Sequence, residues 1–385
     1  MNKKNIYLMY AIALLQGMVF YGPVATLYRQ AQGVSVFQIT IIESISLALC
    51  LLLELPWGII ADKIGYKRTM QFCCALYFIS KIVFWQATGF YGFLLERVML
   101  SVVISGLSGV DTSVIYLSCG KNESQKAFGV YNSLQTTGLL IAALVFSALL
   151  GSNYKLAGLL TVLSYGAAAL LAFGLDEVHA EAGAVFRANE FLLLLRQTLK
   201  NKRLLLLLVG VAFFSETHQT ITVFFNQLQY VKCGLSASQI GYIYIAVTIA
   251  GLSGAFSSRI TKSLGQARTA GLLYAAAMAA CVLLAFTDNP WLSIAGILVL
   301  RVSFSLFQPL QTEVQNRQIS TPNRATALSI NAIIIESVGI GTNVAFGSLA
   351  ESNLQYSLLL GATLCFVGAI LFLMWYRNQK NTCAK

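Results

Sequence analysis

Apolar runs of about 20 residues, separated by short polar breaks, recur along the whole chain. A run of this length crosses a ~30 Å hydrocarbon core as a helix. A barrel strand needs only about 10 residues of alternating polarity, so the pattern predicts helical spans. They fall at 6–29, 36–60, 70–88, 91–119, 124–150 and 153–175, then at 203–230, 236–260, 268–287, 290–318, 323–350 and 353–377. The fold expected is therefore an all-α polytopic membrane protein with twelve transmembrane helices in two six-helix bundles. The bundles are residues 1–175 and 203–385, joined by a charged linker at 176–202. Residues 190–199 in that linker read either as an amphipathic helix on a membrane surface or as a plain connector.

Composition agrees with lipid as the main solvent. Hydrophobic residues make up 57% and charged residues 11%, where a soluble domain carries roughly 25% charged. Soluble, disordered and disulfide-framed secreted classes are excluded. The net charge of +11 sorts by side of the membrane rather than by domain. Twenty of the 26 Lys and Arg fall on one side, which the positive-inside rule makes cytoplasmic, with both termini. Arg29, Lys155 and Lys232 fall outside, while Lys81, Arg97 and Arg301 fall within spans. No basic helix or aromatic platform outside the membrane supports nucleic-acid binding. The first apolar run is too long for a signal-peptide core and is read as the first span. The eight cysteines have no CxxC spacing, so neither a metal site nor a disulfide framework is indicated.

Span two runs into Glu54-Leu55-Pro56-Trp57-Gly58-Ile59-Ile60-Ala61-Asp62-Lys63-Ile64-Gly65-Tyr66-Lys67-Arg68. Gly58 permits close helix approach, Gly65 permits a tight turn with φ > 0, and Lys67 and Arg68 anchor the loop on the cytoplasmic side. This resembles the loop signature of the major facilitator superfamily (MFS). Ile104 to Tyr116, with Ser105-Gly106 and Asp111, resembles the fourth span of a bacterial efflux-type branch, and Arg324 to Ser329 resembles the start of its eleventh span. The resemblance implies two pseudo-symmetric halves, a central substrate cavity and alternating access by rocking of the halves. It also implies that Gly58, Asp62, Gly65, Lys67 and Arg68 form a conformational switch, with Asp62 acting near Arg324 and Ala325. There are departures. The second-half copy, Gly254 to Arg268, has no aspartate. The fifth span lacks the Gly-Pro-x-x-Gly-Gly motif of drug–proton antiporters. Arg97 stands where antiporters carry a buried arginine, with Ser101 in place of a motif glycine.

Charges inside spans are costly and default to functional candidates. Glu216 and Glu336 each lie roughly 20 Å from the inner end of their spans, near the midplane. Glu216 shares a helical face with Gln219, Thr220 and Gln227. Ser329, Glu336 and Asn343 repeat every seven residues, and Arg301, Ser305, Gln308 and Thr312 form a third polar stripe. Together they read as a wet cavity wall, or in part as an internal salt bridge such as Arg301 with Glu336. In the first half the candidates are Glu43, Arg97, Asp111 and Gln16, with Lys81 and Asp111 a possible pair. Glu96 and Arg97 should point about 100° apart. Gly22-Pro23 should kink span one. His218 is either a proton relay or a side chain bonded to a neighbour.

No HExxH, GxSxG or GxxxxGK[ST] motif supports an enzyme. The sequence therefore reads as a secondary active transporter of a small organic solute in the bacterial cytoplasmic membrane, a monomer with no cofactor. Proton-coupled export of amphipathic compounds is the first expectation. Import or exchange of a polar or anionic metabolite, with Arg301 or Arg97 clamping the anion, is the second.

Overall fold

The computed structural model describes residues 2–119, 124–178, 188–318 and 324–383; the side chains at 55, 58, 59, 62, 125, 188–190, 324–326 and 379–383 are outside the description. Every regular element described is helical. The α-helices are α1 (Lys3–Gly17), α2 (Ala25–Ala31), α3 (Val36–Ile64), α4 (Tyr66–Gln86), α5 (Gly89–Leu107), α6 (Val110–Ser118), α7 (Ser124–Val145), α8 (Tyr154–Phe173), α9 (Ala188–Lys200), α10 (Lys202–Gln219), α11 (Asn226–Lys232), α12 (Ala237–Ala250), α13 (Ser257–Leu264), α14 (Gln266–Phe286), α15 (Pro290–Arg317), α16 (Arg324–Ser352) and α17 (Leu354–Cys383).

Among the described residues eleven helical segments, rather than the twelve expected, are long and apolar enough to cross a membrane. The one that falls short is α4. Its 21 residues reach far enough, but it carries Lys67, Arg68, Gln71, Lys81 and Gln86. Lys81 is buried against Glu96 and Tyr21, so its charge is met by protein and hydropathy alone undervalues the helix.

The chain divides into two compact units: Met1–Ala184 with Ser236–Ile245, and Val185–Leu235 with Ala246–Lys385. Inside the first, α3 packs on α5, α4 on α5 and α8, and α1 on α7 and α8. Inside the second, α15 packs on the 3₁₀ segment Gly251–Phe256, α14 on α15 and α17, and α10 on α16 and α17. The pairing scheme is the same in both. Gly65 and Gly265 repeat it locally. They have φ of 90° and 81°, and each links the end of one helix to the start of a 21-residue helix. A side chain would be strained at either position.

Small residues allow close helix contact in the first unit. A Cβ at Gly17 would collide with the carbonyl of Gln135, and one at Gly138 with that of Leu14. Span one is broken, not merely kinked. α1 stops at Gly17, a 3₁₀ turn covers Gly22–Val24 with Pro23 at its start, and α2 resumes at Ala25. Span seven is also interrupted, by a π-helical segment at Thr220–Phe225. In the stretch at 176–202, α9 is present. Its Phe191 is buried with Leu208, Ile330 and Ile334.

The start of the first unit is tied to its end. Lys4 Nζ donates to Asp176 Oδ1 at 2.8 Å, Asn2 Nδ2 to Oδ2 at 3.3 Å, and Asn5 Nδ2 to the Asp176 carbonyl at 3.0 Å. The hydrogen bonds from Lys4 and then Asn2 hold the Asp176 carboxyl below the usual carboxylate range. A group with a depressed native pKa stabilises above its unfolded value and loses that stabilisation as pH falls through its native value. The melting temperatures of wild type and Asp176→Asn are therefore expected to differ near neutral pH and to converge on acidification below the normal Asp range. Thermal unfolding across pH checks this.

Candidate functional site

In the first unit the charged side chains of four helices form one buried cluster. Glu43 on α3 accepts from Arg29 Nη1 on α2 at 3.2 Å through Oε1, and from Arg97 Nη2 on α5 through Oε2. Arg29 also lies over the Phe84 ring at 5.8 Å. One turn away, Lys81 on α4 donates to Glu96 Oε1 at 3.3 Å and to the Tyr21 hydroxyl at 3.1 Å. Its ammonium sits 5.1–5.8 Å from the ring centres of Tyr21, Tyr77 and Tyr165, a cation–π cage. Glu96 and Arg97 do diverge, each to its own partner. Ser101 holds the backbone here, its Oγ bonded to Ser46 Oγ at 2.8 Å and to the Arg97 carbonyl at 2.9 Å.

Two readings of the sequence change. Arg29, expected in an outer loop, is buried, because the break after Gly17 and the turn at Gly33 fold α2 back onto α3. Lys81 pairs with Glu96, not with Asp111. Gly109, with φ of 80°, ends α5 and starts α6, and this puts Asp111 on a separate short helix. There its carboxylate accepts from Tyr131 Oη at 3.3 Å and from the Thr112 amide at 2.6 Å. Gln16 lies near the end of α1. Its side-chain Nε2 donates to Cys74 Sγ at 3.5 Å, and its backbone carbonyl accepts from Tyr165 Oη at 2.6 Å.

In the second unit Glu216 on α10 is buried beside Gly339 on α16; a Cβ there would stand 2.6 Å from the carboxyl carbon. Glu336, one turn earlier on α16, is near enough to repel Glu216 electrostatically. No hydrogen bond or ion pair engages Glu216 among the described residues. Thr220 Oγ1, at the start of the π-helical segment that continues α10, donates to Asn343 Oδ1 on α16 at 2.9 Å. Gln219 is exposed and Gln227 is buried. The π-helical segment between them breaks the 3.6-residue register on which a single shared face depended.

His218 is bonded to neighbours. Its Nε2 lies 3.3 Å from Arg301 Nη1 and 3.2 Å from Thr222 Oγ1, and the ring stacks on Phe304 with centroids 4.1 Å apart. Arginine only donates, so Nε2 accepts in that contact. Arg301 in turn fits against Gly251, where a side chain would overlap the guanidinium.

Of the switch motif, Gly65 has the left-handed backbone expected of it. Glu177 approaches it, and the Lys67 amide donates to Glu177 Oε1 at 3.2 Å. Arg68 is exposed. The side chain of Asp62, the packing of Gly58, and the side chains of Arg324 and Ala325 lie outside the described residues. Among the described residues no group of three or more His, Cys, Asp or Glu has the geometry to hold a metal.

The overall fold is shared with solved structures. A point-mutant form of the nucleoside transporter NupG matches at 16% identity and a TM-score of 0.83, over 97% of this chain and 100% of that one. A bacterial homologue of the human lysosomal transporter Spinster, inward-facing and unoccupied, matches at 16% identity and a TM-score of 0.79, over 98% of each chain. A D-xylose–proton symporter matches at 12% identity and a TM-score of 0.74, over 97% of each chain. Identities this low show the fold alone. No curated protein matches in sequence. A family model described as Major Facilitator Superfamily matches residues 6–342, most of the chain. The chain belongs to the Major Facilitator Superfamily.

Proposed function

We propose that the chain is a secondary transporter that moves a small polar organic solute by alternating access and couples that movement to protons through Glu216 and Glu336. The observation that carries this reading is the state of Glu216. It is buried, close to a second carboxyl group, and without a hydrogen bond or ion pair among the described residues. A carboxyl group so placed in a span is where a proton is loaded and released.

A polar solute is favoured over the amphipathic compounds of the efflux-type branch by the chemistry of the interior. Arg97 and Arg301 are only partly buried in their units, and Gln219 is exposed. Two neighbours of the same fold are named for polar solutes, a nucleoside and D-xylose. In this reading α4 is the twelfth span, both termini face the cytoplasm, and a monomer sits in a bacterial cytoplasmic membrane.

The test is substrate-dependent flux in proteoliposomes with and without an imposed pH gradient. Flux that rises with the gradient and collapses with a protonophore is expected. Flux indifferent to the gradient overturns proton coupling, and no flux with any polar solute of a broad metabolite panel overturns the transport reading.

A further inference from the structure

The buried charges of the first unit do not balance. Among the described residues, Arg29, Lys81 and Arg97 are met only by Glu43 and Glu96, which leaves one positive charge over. Asp111 does not offset it, since its carboxylate is engaged by Tyr131 and the Thr112 amide on another helix. Lys81 and Glu96 form a closed pair, both side chains nearly inaccessible. The excess therefore falls on the chain Arg29–Glu43–Arg97, in which one carboxylate serves two guanidinium groups. The Nε of Arg29 and the Nε of Arg97 are both buried with no hydrogen-bond partner among the described residues. Buried donors of a charged group without acceptors are costly, and they mark a place where an acceptor is due.

The two arginines differ in access. The side chain of Arg97 is 23% exposed, against 6% for Arg29 and 6% for Glu43. Arg29 is also anchored on the Phe84 ring. An incoming group can reach Arg97 and cannot reach Arg29.

We propose that Arg97 is the docking point for a single carboxylate on the solute, and that this carboxylate takes Arg97 from Glu43 while Arg29 keeps Glu43. The assignment rests on the transport reading above and adds the class of solute, an organic monocarboxylate. One excess charge calls for a monoanion, and a planar carboxylate matches the fork of a guanidinium through two parallel hydrogen bonds. The exchange leaves each arginine with its own carboxylate, so the buried excess disappears. It also trades a link between α3 and α5 for a link between α5 and the solute.

The test uses the purified full chain in detergent at fixed ionic strength, with benzoate as probe and benzamide and chloride as controls, read as thermal shift. Benzoate is expected to raise the melting temperature of wild type, and the controls are not. Glu43→Gln removes the internal competitor, so half-saturation is expected at about tenfold lower benzoate. If Glu43→Gln folds only when benzoate is present, that too supports the site. Arg97→Gln is expected to abolish the benzoate shift. Arg97→Lys keeps the charge but loses the fork, and is expected to weaken the shift severalfold, about three- to tenfold. The proposal is overturned if benzamide or chloride acts like benzoate, if Glu43→Gln binds no more tightly than wild type, or if Arg97→Lys binds benzoate as wild type does. Benzoate binding without solute flux sinks the transport reading and leaves the site. Gradient-driven flux in a protein indifferent to benzoate does the reverse.

Discussion

Lys81→Met is expected to lower the stability of the folded protein by about 3–5 kcal/mol, the usual cost of breaking a buried ion pair from one side. The side chains of Lys81 and Glu96 are 5% and 1% exposed. Methionine matches the length of lysine but not its charge. It leaves Glu96 buried with one oxygen stripped of its partner, and the other oxygen has no hydrogen bond among the described residues to begin with. The Tyr21 hydroxyl loses its donor, and the rings of Tyr21, Tyr77 and Tyr165 lose the cation at their centre. A second change separates the ion pair from the packing around it. Lys81→Met combined with Glu96→Leu replaces the pair by apolar side chains of similar size, a change that is often neutral or stabilising. The double variant is expected to recover all but about 1 kcal/mol, the share of the lost cation–π contacts. Unfolding of wild type, Lys81→Met, Glu96→Leu and the double variant in mixed micelles yields the coupling energy directly. If Lys81→Met costs less than about 1 kcal/mol, the pair is not the buried unit described.

This pair also marks where the sequence could be read and where it could not. The spans were legible because lipid imposes one rule on every segment: apolar side chains outward and all backbone bonds internal. The loop signature and the turn at Gly65 were legible because glycine is the residue that takes φ near 90° without strain. Individual charges were legible for the same reason as the spans, since Glu43, Arg97, Glu216 and Arg301 stand out against apolar neighbours. Their partners were not. Partners lie on other helices, and the register between helices depends on breaks that carry little local signal. The break between Gly17 and Gly22 brings Arg29 under Glu43, the break at Gly109 takes Asp111 away from Lys81, and the π-helical turn after Gln219 interrupts the register between Glu216 and Gln227. Arg29 had a retrievable signal. A cation at the end of one span and Glu43 on the next, joined by the short turn at Gly33, form a hairpin in which the two side chains can meet. That His218 bonds a neighbour was legible, but which neighbours was not, because nothing in one dimension places Arg301 and Phe304 beside it.

Glu216→Gln is expected to uncouple solute movement from the proton gradient. Glutamine keeps the size and hydrogen-bonding outline of the carboxyl group but carries no exchangeable charge. The space for it is strict: Gly339 leaves no room for even a methyl group between α16 and the Glu216 carboxyl. A near-isosteric replacement therefore leaves the helix packing and the neighbouring bond from Thr220 to Asn343 in place. In wild type, one proton exchanged per neutral transport cycle across one pH unit sustains a solute concentration ratio of about ten, since 1.4 kcal/mol is a factor of ten. In Glu216→Gln the ratio is expected to fall to about one, with solute still crossing until it equilibrates. Glu336→Gln relieves the repulsion on Glu216 without removing it. Its ratio is expected to be intermediate and its dependence on pH displaced, because Glu216 loses a neighbouring negative charge. Gly339→Ala supplies a steric control that pushes Glu216 without changing its chemistry, and it is expected to slow the cycle while keeping the wild-type ratio. The measurement is the steady-state solute ratio in proteoliposomes at a fixed pH difference. A wild-type ratio in both Glu216→Gln and Glu336→Gln would show that the coupling proton travels elsewhere.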